Sequence, residues 1–245
     1  MTKPEATAPN AYRWVILAGV WLLYCAFGLV ATSFAPLVGL IESDLQMTHA
    51  AMGSIMGAWQ LVYIFSAIPC GILLDKLGPR WALTAGGLLI AASAGFRGVA
   101  DSYTALLLAV MLFGVGGPIV SAGAPTVVTA LFTGSSRGLA MGIYMTGPAI
   151  GGVISLTQTH ATRLPNFEGQ WRSVMLLWAG FGTLASLAWL AIACHSSLDR
   201  APATASTGTA LPQTQILLNL IRAPAVVLVL LMSVGVFLFN HGLNN

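Results

Sequence analysis

Long apolar runs separated by short polar stretches divide the chain, at 14–36, 51–74, 81–99, 104–132, 138–158, 172–194 and 223–241. Each is about 18 residues or longer, enough for a helix rising ~1.5 Å per residue to cross a hydrocarbon layer of ~30 Å. Lipid offers the backbone no hydrogen-bond partners, so a spanning segment must be a helix or part of a closed barrel. A barrel strand alternates polar and apolar positions, and these runs do not. The pattern predicts an all-α membrane protein: a six-helix transmembrane bundle over 14–194, a tail over 1–13 before it, and an incomplete seventh transmembrane helix over 223–245. Between bundle and seventh helix, 195–222 is rich in Ala, Thr, Ser, Gly and Pro, a flexible connection and the natural divide between two halves.

Composition agrees: 57% of residues are hydrophobic and only 7% charged, too few to clothe a water-soluble globule of this size. Arg13 followed by an apolar run has the look of a signal peptide. The run from Trp14 to Pro36 exceeds the usual h-region of ~7–15 residues, however, and more spans follow, so it reads as a retained first helix. The positive-inside rule puts the N-terminus in the cytoplasm. Lys3, Arg13, Lys76, Arg80, Arg137, Arg200 and Arg222 then fall inside, with Arg163 and Arg172 in or beside outer loops. Trp14, Trp81 and Trp171 fall at predicted interfaces. The net charge of +3 forms no basic stripe of the kind that binds nucleic acid. Cys25, Cys70 and Cys194 have neither metal-ligand spacing nor the pairing of a disulfide framework, and read as small hydrophobes.

The densest charge lies between the second and third runs, in Gly71-Ile72-Leu73-Leu74-Asp75-Lys76-Leu77-Gly78-Pro79-Arg80. It resembles the loop between the second and third helices of the major facilitator superfamily: both Gly, the Asp and the two basic residues match, while Pro79 stands where a basic residue is common. The resemblance implies a six-helix N-terminal bundle of the major facilitator type. It further implies that Gly71, Asp75, Lys76, Gly78 and Arg80, with Arg137, form a loop that closes the inner gate in one state and releases it in another. Asp75 would pair there with Arg80 or Arg137, or accept hydrogen bonds from helix N-termini. Twelve helices in two bundles enclose the path in that family. This chain would then supply one bundle and most of helix seven, as a truncated product or fragment lacking its C-terminal half, and alone it would not transport.

Helix five carries Gly147-Pro148-Ala149-Ile150-Gly151-Gly152, similar to the superfamily's antiporter-associated motif through Gly147, Pro148, Gly151 and Gly152. Pro148 removes a backbone donor, and the glycines leave a groove for another helix. Helix four, with Gly114, Gly116, Gly117, Pro118, Ser121, Gly123 and Pro125, is a second breakable helix at mid-depth, but has no Arg like the one that often opens helix four in the family.

Intramembrane charge commonly marks a substrate path. Arg97 lies about 16 residues into helix three, roughly 24 Å along it, which places it near the outer face, there to snorkel to water or to serve an anion path. No Asp or Glu lies deep in the first six spans, whereas exporters of cationic drugs often need a buried carboxylate. Polar candidates for the cavity wall are Tyr24, Gln60, Tyr63, Tyr144, Asn240 and His241, beside Arg97. The polar ending at Asn240, the Gly-Pro helix five and the Trp171-Arg172 start of helix six are loosely similar to the cyanate and nitrate/nitrite branches.

The expected function is secondary active transport of a small anion or small organic solute by alternating access, with multidrug efflux as the alternative. The expected partners are the lipid bilayer of the inner membrane, a small-molecule substrate and a coupling ion, proton or counter-anion. No cofactor, metal or nucleic acid is implied. An intramembrane protease of the rhomboid type would need a Gly two positions before its Ser, which Ser121 lacks.

Overall fold

The computed structural model describes residues 11–159 and 169–195, together with Pro224, Val227, Leu228 and Met232. Most of the predicted tail, of the 195–222 connection and of the seventh helix, including Asn240 and His241, lies outside the described residues. The chain divides into two compact units, Met1–Ala203 and Thr204–Asn245. In the second, the four described residues are helical and exposed.

In the first unit the helices are α1 (Tyr12–Thr32), α2 (Val38–Asp44), α3 (His49–Gly98), α4 (Tyr103–Leu131), α5 (Ser135–Gln158) and α6 (Trp171–Cys194). A 3-10 turn, Ala35–Leu37, joins α1 to α2. The first helix stops short of the predicted residue 36, because Pro36 cannot donate the backbone bond that would carry α1 onward.

The 50 residues of α3 would stretch about 75 Å if straight, far more than a bilayer needs. They form two limbs that meet at Gly78, whose φ of 73° and ψ of 163° belong to a region essentially reserved for glycine. Pro79 follows at the start of the second limb, where its missing N–H costs nothing. The expected inner loop is thus a one-residue reversal, and the second helix runs on to Leu77 rather than ending at 74. Both limbs fold onto α4: a Cβ at Gly114 would lie 2.6 Å from Trp59 O on the first, and one at Gly116 2.8 Å from Gly86 O on the second. With α3 counted as two crossings, the described residues make six. Thr48 and Ser102 cap α3 and α4 by accepting the amides of Ala51 and Ala105.

Glycines set the approach of α1 to α5. A Cβ at Gly28 would lie 2.1 Å from Pro148 O, one at Gly147 2.9 Å from Trp21 O, and one at Gly151 2.0 Å from Cys25 O. Backbone therefore touches backbone at the predicted groove, with the two helices parallel. Gly152 is less demanding, its nearest atom being Thr32 Cγ2 at 3.5 Å.

Polar contacts fasten α6 at both ends of the bundle. At one, Tyr12 Oη donates to Ile192 O at 2.7 Å and Trp189 Nε1 to Arg80 O at 3.2 Å. At the other, Arg172 pairs with Asp44 through Nη1 and gives Nε and Nη2 to Ala100 O at 3.2 and 3.0 Å. Trp171 Nε1 donates to Asp44 Oδ2 at 3.1 Å. Trp171, expected at a lipid interface, is buried by this clamp, while Trp14 and Trp81 are exposed.

Candidate functional site

Two prolines interrupt α4 without ending it. A proline inside a helix frees the carbonyl four residues earlier, and in a membrane that carbonyl needs another donor. Pro118 frees Gly114 O, which accepts from Ser66 Oγ at 2.8 Å. Pro125 frees Ser121 O, which accepts from Tyr24 Oη at 3.2 Å. Hydroxyls from the first limb of α3 and from α1 thus replace the lost helix bonds, and so fix where those side chains stand.

Ser121 is the hub of the resulting cluster. Its Oγ lies 2.5 Å from Tyr63 Oη and donates to Pro118 O at 3.2 Å. Tyr24 meets Tyr144 edge-on at 5.3 Å and stacks on Phe27 at 5.9 Å. Tyr63 meets Trp59 edge-on at 6.1 Å. Phe113 joins both sides, stacked on Phe27 at 5.2 Å and edge-on to Trp59 at 5.3 Å. Beside it Trp21 Nε1 donates to Thr146 Oγ1 at 2.9 Å. Tyr24, Tyr63 and Tyr144, picked from separate helices, are therefore brought together. Gln60 is half-buried on the same limb but takes no part in the hydroxyl bonds. Aromatic faces and edges with a few hydroxyl donors can hold a small, flat, polar solute without supplying a charge by contact.

Sequence reading misses Trp59, Phe113 and Ser66. The prolines are the available signal: each points four residues back to a carbonyl in need of a donor, but not to the helix that supplies it.

Arg97 overturns the snorkelling expectation: it is 2% exposed. Because α1 ends at Thr32 and gives way to the 3-10 turn Ala35–Leu37, the guanidinium meets protein acceptors before it reaches water. Nη1 donates to Val30 O at 3.1 Å and Ser33 Oγ at 3.4 Å. Phe34 and Phe113 face it at 4.6 and 5.4 Å.

In the segment expected to gate the path, Asp75 and Lys76 are exposed, and Gly71 has nothing within 4 Å of a notional Cβ. Arg80 is half-buried, and its carbonyl accepts from Thr84 Oγ1 at 2.8 Å as well as from Trp189. Arg137 is exposed in the first turn of α5.

The family model of the Major Facilitator Superfamily matches residues 20–244. Among curated relatives, the oxalate:formate antiporter of Oxalobacter formigenes is 31% identical over 60% of this chain and 35% of its own length. A probable nitrate transporter of Staphylococcus carnosus is 28% identical over 49% and 30%, and a multidrug transporter of Bacillus subtilis 29% over 51% and 24%. The chain thus spans about a third or less of these relatives. A solved bacterial homologue of the human lysosomal transporter Spinster superposes with a TM-score of 0.67 at 20% identity, over 76% of this chain and 44% of that one. It shares the fold. By its helices, its glycine-set packing and the family match over most of its length, the chain belongs to the Major Facilitator Superfamily.

Proposed function

We propose that the chain forms one helical bundle of a secondary active transporter for a small anion, working by alternating access with the Tyr24–Tyr63–Tyr144 cluster in the substrate path. The observation that carries the reading is this cluster, assembled at the two proline breaks of α4 and backed by buried Arg97, with no Asp or Glu deep inside the first six spans. Relatives named for oxalate, formate and nitrate support the same class of solute.

The proline breaks suit the motion. Bending α4 at Pro118 or Pro125 strains single side-chain bonds from Ser66 and Tyr24, while the close backbone contact of α1 with α5 keeps those two helices moving together. The Asp75–Arg80 segment acts at the inner mouth, with Arg137, and exchanges partners between states. The N-terminus is cytoplasmic: Arg13, Lys76, Arg80 and Arg137 all stand at the end of the bundle that holds Tyr12 and the Gly78 break.

Counter-transport in preloaded proteoliposomes, with the chain completed by a second bundle, tests the reading. Oxalate or nitrate uptake accelerated by internal anion is the expected result. Extrusion of lipophilic cations with no response to anions would replace it by efflux, the reading that a relative named as a multidrug transporter supports.

A further inference from the structure

Arg97 is a buried charge whose partners do not neutralise it. Nη1 has two oxygen acceptors, Nε has none, and no carboxylate pairs with the guanidinium among the described residues. What opposes it is the C-terminal end of α1, which finishes at Thr32 beside the Val30 carbonyl. The free carbonyls of a helix end amount to about half an elementary negative charge. Roughly half a positive charge is therefore left standing in a dry interior.

That charge faces the site. Phe113 lies 5.4 Å from the guanidinium and is also the ring that touches Phe27 and Trp59, at 5.2 and 5.3 Å. One ring thus separates Arg97 from Trp59, and two stacked rings separate it from Tyr24. We propose that Arg97 sets the charge selectivity of the Tyr24–Tyr63–Tyr144 site, attracting anions through the Phe113 stack without touching them, a role that rests on the anion reading above.

The size of the effect depends on the ligand's charge, which a purely structural arginine would not arrange. At an effective dielectric constant near 20 and a separation on the order of 12 Å, half a charge alters binding about threefold for a monoanion, about tenfold for a dianion, and not for a neutral ligand.

Calorimetric titration of the protein in nanodiscs with nitrate, oxalate and neutral oxamide tests this. Arg97→Met removes the charge and keeps the volume, Arg97→Lys keeps the charge, and Arg97→Gln, which retains a donor for Val30 O, stands in if the Met variant does not fold. In the charge-free variant a whole charge is lost while the end of α1 remains, so the nitrate Kd should rise about tenfold and the oxalate Kd about a hundredfold, with oxamide unchanged. Arg97→Lys should preserve the preference for oxalate over oxamide. Equal weakening of all three ligands, or of none, overturns the proposal and leaves Arg97 a structural residue. Wild-type protein that binds oxamide but neither anion overturns the anion reading itself.

Discussion

Replacing Gly151 by Ala adds one carbon at the tightest point between α1 and α5, where it would stand 2.0 Å from Cys25 O and 2.8 Å from Leu29 N. Non-bonded carbon settles at about 3.5–4.0 Å from its neighbours, so the helices must part locally by more than an ångström. The obstacle is backbone, and no rotamer relieves it. A gap of ~0.5–1 Å already forfeits a quarter to a half of each dispersion contact. Overpacking of this kind costs about 1–3 kcal/mol, and a site bounded by main chain belongs at the upper end. For a chain of this size that is a fall of roughly 5–10 °C in melting temperature. Thermal unfolding in detergent, followed by size-exclusion of the surviving fold, measures it. Two controls isolate the cause. Gly152→Ala meets Thr32 Cγ2 at an ordinary 3.5 Å and should melt like wild type. Gly142→Ala meets nothing within 4 Å and should gain some of the ~1 kcal/mol by which Ala exceeds Gly in a helix. Gly151→Ala melting within a degree of wild type, or no lower than Gly142→Ala, would refute the claim that glycine is required there by packing.

Ser66→Ala and Tyr24→Phe each leave a proline-freed carbonyl of α4 without its donor; each should destabilise by about 0.6–1.7 kcal/mol in thermal unfolding, the range of interhelical hydrogen bonds in membranes. Gly78→Ala forces a side chain into a glycine-only conformation, so a loss of about 1–3 kcal/mol is expected, with faster proteolysis at the Leu77–Arg80 reversal. In the Asp44–Arg172 clamp, Asp44→Asn should cost under about 1 kcal/mol because the pair is partly exposed. Arg172→Met should cost more, since it strips both donors from Ala100 O as well, and equal melting temperatures for the two variants would contradict that ordering.

Where the helices run is legible because span length is dictated by bilayer thickness and apolar runs report it directly. The predicted 104–132 and 172–194 differ by one residue from the ends of α4, Tyr103–Leu131, and by one from the start of α6, Trp171–Cys194. Both errors of substance fall at Pro and Gly. Apolarity alone carries the first span through Pro36, although proline cannot continue a helix, and it draws the loop after residue 74 too wide. Gly78 with Pro79 reverses the chain in one step, which hydropathy averaged over many residues does not register. The groove on α5 is also legible from its glycines, but the partner, α1 at Cys25 and Gly28, is not, since nothing in a one-dimensional pattern says which helix fills a groove.

The same limit explains the site. Tyr24, Tyr63 and Tyr144 stand out as polar residues in apolar runs, because each such residue must find a partner in lipid and few are present. Tyr24 and Tyr63 meet on Ser121 and Tyr144 joins through Tyr24, which follows from a rule that acts across helices: Pro125 frees a carbonyl on α4 and Tyr24 answers it from α1. Arg97 is misplaced by its sequence position for a related reason. Reckoned along its own helix, its depth puts water near. What decides the fate of a cation, however, is whichever acceptor comes within reach first, and the early end of α1 presents Val30 O, Ser33 Oγ and the negative end of a helix dipole at that height. Proline at 36 ends α1; the ended helix supplies the acceptors; the acceptors hold a cation in a place that a continuous first helix would have left without them. The charge behind the aromatic cluster therefore depends on a helix terminus, and it is the proline, not the arginine, that a sequence reader would have had to follow to find it.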